Sequence, residues 1–374
     1  MRLRLLRRSA PVFALVLWLS AALAAQPGRA AVDRDEAALA RLTDDARLAL
    51  GAPGLAAAIV VGESVVWMQG FGLADLEQSV PVKPEAVFRI ASISKPITAT
   101  AVLQLVERGL VSLEDPIQRF VPSFPRKPQG EIRIRHLLTH TSGIRHYRGN
   151  EMNSRDAYPT VERALAVFKD DPLLFAPGER YAYSTYGYNL LAGVVEAASG
   201  RSFDDYLRLH VFAPAGMTST FLERPQEVVR WRARQYVRGP LPGTWFQAPY
   251  VDLSVKWAGG GMISNVVDLA RFDIALNGGR LLKPESLERM YTSTRLNNGN
   301  ITGYGLGWMI SQDGGRLRVA HSGGATGGTT FMLREPRTRL ASVILTNLDN
   351  VPRLRELAEQ LIALAPRPVP TSTR

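Results

Sequence analysis

The stretch LGWMISQDGGRLRVAHSGGATGGTTFMLREPRTRLASVILT, residues 306–346, decides the fold. It holds four apolar or β-branched runs, Leu306 to Ile310, Leu317 to His321, Thr329 to Leu333 and Leu340 to Thr346, separated by turns rich in glycine or charge. Short runs bounded in this way read as strands. Their connections leave no room for crossover helices, which parallel neighbours require, so the sheet is expected to be mainly antiparallel. Pro352 to Leu364 has helical spacing and closes the unit.

The same texture opens the chain. Asp33 to Leu50 carries Leu39, Leu42, Ala46 and Leu50 at helical spacing and stops at Gly51-Ala52-Pro53-Gly54. Leu55 to Val61 and Val65 to Gly70 then read as a hairpin joined by Gly62-Glu63-Ser64. Between these ends the patterns turn helical, at Ile97 to Leu110, Val161 to Phe168, Leu190 to Ala198 and Val267 to Leu276. The expected fold class is therefore α/β (α+β): a mainly antiparallel sheet flanked by N- and C-terminal helices, with an inserted α-rich lobe. The sheet lobe would comprise about 33–91 and 288–365, the α-rich lobe about 92–287, and 366–374 a flexible Pro/Ser/Thr tail.

The first residues read as an export signal. Arg2, Arg4, Arg7 and Arg8 form a basic start, Pro11 to Ala25 an apolar run, and Ala22-Leu23-Ala24 a small-x-small cleavage site. The apolar run is shorter than the ~20 residues a membrane-spanning helix needs. Residues 1–24 are thus expected to be removed near Ala24/Ala25, giving a periplasmic or secreted protein. Four arginines and no acids go with them, so the formal charge falls from +11 to +7. A basic surface reads first as a solvated Arg-rich face and, beyond that, fits association with anionic cell-envelope polymers. No Lys/Arg run is interleaved with aromatics, so no nucleic-acid partner is expected. The chain has no Cys, which excludes disulfides, thiol catalysis and Cys-based metal sites.

Ser92-Ile93-Ser94-Lys95 follows the strand-like Val87 to Ile90 and precedes an apolar helix. Ser92 then meets the orphan N–H groups and positive dipole of a helix start, which favour the negative charge of acyl transfer. Lys95, three residues on, faces the same side. A lysine desolvated there can be tuned to a pKa of about 7 to 8 and take the serine proton. A capping serine with a surface lysine has the same spacing. However, the chain has only six lysines, and this one lies in a mostly apolar stretch. Pro96 is comfortable only in a first turn, so that turn is expected to be irregular or tight.

Six further stretches follow in order. They are His136-Leu137-Leu138-Thr139-His140-Thr141-Ser142-Gly143, Tyr183-Ser184-Thr185-Tyr186-Gly187-Tyr188, Phe212-Ala213-Pro214-Ala215-Gly216-Met217, Gly259-Gly260-Gly261-Met262-Ile263-Ser264, Tyr304-Gly305-Leu306-Gly307-Trp308 and His321-Ser322-Gly323-Gly324. With Ser92-x-x-Lys95 they resemble the landmarks of class C β-lactamases, D-alanyl-D-alanine carboxypeptidases and related esterases. The resemblance spans roughly Glu36 to Leu364, and Gly143 to Tyr147, Tyr183-Ser184-Thr185 and His321-Ser322-Gly323-Gly324 look closest to the mitochondrial serine β-lactamase-like proteins and their bacterial relatives.

The resemblance implies that Tyr183 shares proton transfer with Lys95 and protonates the leaving group. Thr185 stands where the family usually has Asn, which puts amide recognition in doubt. His321-Ser322-Gly323 stands where the family has Lys-Thr-Gly, and Gly324 would give a backbone N–H to an oxyanion hole shared with the N–H of Ser92. A histidine of ordinary pKa, about 6.5, is mostly neutral at pH 7 and would attract a substrate carboxylate increasingly on acidification.

The reading is an acyl-enzyme hydrolase of peptide/amide, ester or β-lactam bonds, needing no metal or organic cofactor. The alternative is a catalytically inert protein of the same fold that binds wall peptides or a protein partner. His136, His140 and His146 lack a completing Asp, Glu or Cys and read as structural rather than as metal ligands. No Gly-x-Ser-x-Gly elbow is present, and Gly303-x-Gly305-x-Gly307 lacks the context of a dinucleotide site.

Overall fold

The computed structural model describes residues 27–365; the expected export segment and tail lie outside the described residues. Its main element is a seven-stranded antiparallel sheet. In order across the sheet the strands are Val80–Pro81, Ser64–Asp75, Gly54–Val61, Leu340–Thr346, Gly328–Glu335, Arg316–Ala325 and Met309–Asp313. The two ends of the chain meet at its centre, where Leu55 pairs with Thr346 and Val61 with Leu340.

Gly54–Val61 shows why the run reads as continuously apolar. Leu55, Ala57 and Ile59 enter one core cluster with the first and last helices. Ala56, Ala58 and Val60 enter the other, beneath the helical region. Side chains alternate across a strand, and a sheet covered on both faces needs apolar residues on each. The first face is covered by the helices Pro27–Ala49 and Leu354–Leu364, and the second by Val266–Asn277.

The element boundaries move at two informative places. Leu306 to Ile310 was expected to be a strand, but the strand is Met309–Asp313. Gly307 sits at φ 85, a left-handed turn that interrupts the extended chain and leaves Trp308 wholly buried. The helix expected from Ile97 begins at Ser94 and ends at Glu107. Ser92 precedes it in the 3-10 turn Ala91–Ile93, the tight turn anticipated from Pro96, which occupies the third helical position. Ser94–Glu107 is buried from Ser94 through Leu105 and so forms the centre of the helical region.

Candidate active site

The backbone that presents Ser92 is unusual. Ala91 holds φ 47, a left-handed conformation costly for a residue with a Cβ. Ser94 Oγ fixes the turn by donating to Ala91 O at 2.6 Å and accepting from Met262 N at 3.3 Å. Against this turn lies the Arg316–Ala325 strand. A Cβ on Gly323 would fall 2.4 Å from Ile90 O and 2.3 Å from Thr330 Oγ1, so only glycine allows this approach. Met309–Asp313 pairs only with Arg316 to Ala320, which leaves a free edge from His321 to Ala325 beside Ser92.

Ser92, Lys95, Tyr183 and Thr185 come together here. Lys95 Nζ stands 3.0 Å from Ser92 Oγ, 3.1 Å from Thr185 Oγ1 and 2.5 Å from Gly259 O. It lies 4.6 Å from the centroid of the Tyr183 ring, and Ser92 is close enough to that phenol to favour its ionised form slightly. Burial, then the nearby Lys256 charge, drives the Lys95 pKa well below its usual value. A neutral amine fits the three neighbours. Its two N–H groups serve Thr185 Oγ1 and Gly259 O, and its lone pair is left for the Ser92 hydroxyl. Burial pushes the Tyr183 phenol upward, so it stays protonated.

Ser322 is exposed, and Gly324 faces open space, whereas His321 is buried. His321 Nδ1 lies 2.7 Å from Ser322 O, which can only accept, so Nδ1 carries the proton. Nε2 then accepts from the Tyr304 hydroxyl at 2.9 Å. Burial, then the Lys95 charge, pushes the His321 pKa down to about 3. This corrects the expectation of an acid-switchable charge, since the ring stays neutral at any pH near neutrality.

The other histidines hold the frame. His140 Nδ1 accepts Ser184 N at 3.1 Å and its ring lies 4.2 Å from that of Tyr183. His146 Nδ1 accepts Thr185 N at 3.2 Å, and His136 Nδ1 accepts Arg133 N at 3.1 Å. Among the described residues no group of three or more His, Cys, Asp or Glu could hold a metal.

Four residues at the site carried no assignment in the sequence reading: Tyr147, whose ring lies 4.2 Å from that of His146; Gly259, whose carbonyl meets Lys95; Tyr304; and Lys256. Lys256 is buried and donates to Met152 O at 2.7 Å; burial, then Arg89, lowers its pKa to about 7. The signal that singled out Lys95, a rare lysine in an apolar stretch, applies equally to Lys256.

An antiparallel sheet covered by helices on both faces, with a serine and a buried lysine where its edge meets the helical region, is the arrangement of the β-lactamase-like serine hydrolases. A family model described as "Beta-lactamase" matches residues 34–367. The chain belongs to that family. It is 32% identical to the mitochondrial serine beta-lactamase-like protein LACTB of Homo sapiens, over 82% of this chain and 72% of that protein. Among solved structures, the octameric penicillin-binding protein homologue of Pyrococcus abyssi is similar with a TM-score of 0.77 and 28% identity, covering 88% of this chain and 76% of that one. The D-amino acid amidase of Ochrobactrum anthropi SV3 is similar with a TM-score of 0.76 and 25% identity, covering 89% of this chain and 98% of that one.

Proposed function

We propose that the protein is an exported serine hydrolase that forms an acyl-enzyme on Ser92 and cleaves peptide, amide or ester bonds in preference to efficient β-lactam turnover. The observation that carries this reading is the desolvated Lys95 amine 3.0 Å from Ser92 Oγ. Neutral Lys95 takes the serine proton as Oγ attacks the acyl carbonyl, with the N–H groups of Ser92 and Gly324 receiving the oxyanion. Tyr183 then passes a proton to the leaving group and recovers one from Lys95. Water, activated by the same groups, hydrolyses the ester on Ser92 and restores the serine. Similarity to a D-amino acid amidase supports amide and peptide substrates. Thr185 in place of the family's asparagine weakens the contact to a substrate amide and so favours esters among these substrates, and the neutral His321 argues against strong recognition of penicillin-type carboxylates.

Intact-mass analysis after exposure to an activated serine-directed phosphonate tests the reading. One adduct on Ser92 is expected, and none on a folded Ser92→Ala variant. Labelling that survives Ser92→Ala would place the nucleophile elsewhere.

A further inference from the structure

The free edge from His321 to Ala325 is closed at one end. Thr326, in the turn that follows, donates from Oγ1 to Asn153 Oδ1 at 2.6 Å, while its carbonyl accepts from Arg89 Nη1 at 2.8 Å. Asn153 belongs to the short turn Glu151–Asn153 in the helical region, so this bond joins that region to the sheet.

The turn is anchored residue by residue. Glu151 accepts from Arg145 Nη1 at 2.7 Å, Tyr186 OH at 2.9 Å and Arg148 N at 2.7 Å. Met152 O accepts from buried Lys256 at 2.7 Å. The segment from His146 to Asn153 therefore faces the free edge as an opposite wall. It starts beside Tyr183, whose ring lies 5.6 Å from that of His146, and meets the sheet at Thr326.

The direction of a substrate follows if Ser92 is acylated as proposed above, on which this inference rests. Tyr183 protonates the leaving group and lies at the His321 end, with ring centroids 6.2 Å apart. The leaving group thus lies toward His321, and the acyl part runs the other way, past Gly324 toward Thr326. Thr326 lies two positions beyond Gly324, with only Ala325 between them, roughly 7 Å at a strand's rise per residue.

We infer that Asn153 and Thr326 form a clasp that closes the acyl end of the site, so that the enzyme accepts acyl groups no longer than about two residues and excludes extended ones. Substrates of this class are small esters and amides, or peptides cleaved close to their amino end.

The test compares kcat/KM for p-nitrophenyl acetate and p-nitrophenyl decanoate, with acylation of Ser92 followed by intact mass. Wild type should favour acetate by at least about tenfold, the scale on which a fitted pocket separates substrates differing in methylene groups. Asn153→Ala and Thr326→Val each remove one partner of the bond and should relieve most of that preference. Asn153→Asp keeps an acceptor and should preserve it. Thr326→Val, the smaller change, carries the comparison if Asn153→Ala fails to fold. Equal use of both esters by wild type, or an unmoved ratio in the folded variants, overturns the clasp and leaves the serine mechanism intact. Absence of any acyl adduct on Ser92 overturns that mechanism and the clasp with it.

Discussion

The Tyr304 hydroxyl donates to His321 Nε2 at 2.9 Å, and with Nδ1 bound to Ser322 O the ring has no free polar atom to offer a substrate. Its pKa of about 3 keeps it uncharged across roughly pH 5.5 to 8, the range in which an ordinary histidine titrates. The ratio of kcat/KM for matched substrates with and without a carboxylate should therefore stay flat over that range. A ratio that climbs as pH falls would show that His321 gains a proton in the working enzyme. His321→Lys would leave the buried Tyr304 hydroxyl without its acceptor and should lower stability by about 1–3 kcal/mol, measured by denaturant unfolding.

Lys95 meets Ser92 through its amine, and the Tyr183 ring lies 4.6 Å from that same amine. Groups that act on one proton are not additive. Lys95→Ala and Tyr183→Phe should each slow acylation by on the order of a hundredfold or more, the usual range for losing a general acid or base. The double variant should lose little beyond the worse single variant. Circular dichroism establishes that the folds are native, and multiplicative losses would mean that the two residues act in separate steps.

After burial, the Lys256 charge is the second influence that lowers the Lys95 pKa. Lys256, with a pKa of about 7, has a positive charge on the acid side, and that charge opposes protonation of Lys95. In the proposed mechanism Lys95 acts deprotonated, so kcat/KM should rise with pH through the Lys95 titration. In Lys256→Met the opposing charge is absent, Lys95 holds its proton longer, and the acid limb should move to higher pH. Above about 7 wild-type Lys256 is neutral as well, and the two profiles should converge. Profiles that coincide throughout would remove Lys256 from the proton balance.

What the sequence reveals of this site follows from how each contact is made. Ser92 and Lys95 are three residues apart in one turn, so their spacing exposes the pair. Gly259 offers Lys95 a carbonyl from 164 positions away, and a backbone acceptor leaves no side-chain signature. Met152 and Lys256 are joined across 104 positions in the same way. Gly54–Val61 is legible because both its faces are buried and its run is wholly apolar. The Met309–Asp313 boundary is not, because it depends on Gly307 taking a left-handed turn. His321 stands in the right strand, but its charge state depends on Tyr304, whose bond to it no sequence pattern marks.

Acid should destabilise the fold through its neutral histidines. His136 and His146 are held down to about 4 and His321 to about 3, in each case first by burial. In the unfolded chain each titrates at about 6.5. Below that value the unfolded state binds protons that the folded state does not, so stability falls as pH drops, until the folded-state values are reached and the loss is complete. Each such histidine contributes a slope of up to about 1.4 kcal/mol per pH unit. Burial raises the pKa of Glu196 and Asp273, which opposes this trend because the folded state then binds their protons first. Urea unfolding midpoints at roughly pH 7.5 and 5, on either side of the unfolded histidine value, should therefore differ clearly, with the acid value lower. His321→Gln removes one titrating group and should reduce the proton uptake on unfolding near pH 5 by about one. An unchanged uptake in that variant would mean that His321 is already protonated in the folded protein, contrary to its position between Tyr304 and Ser322.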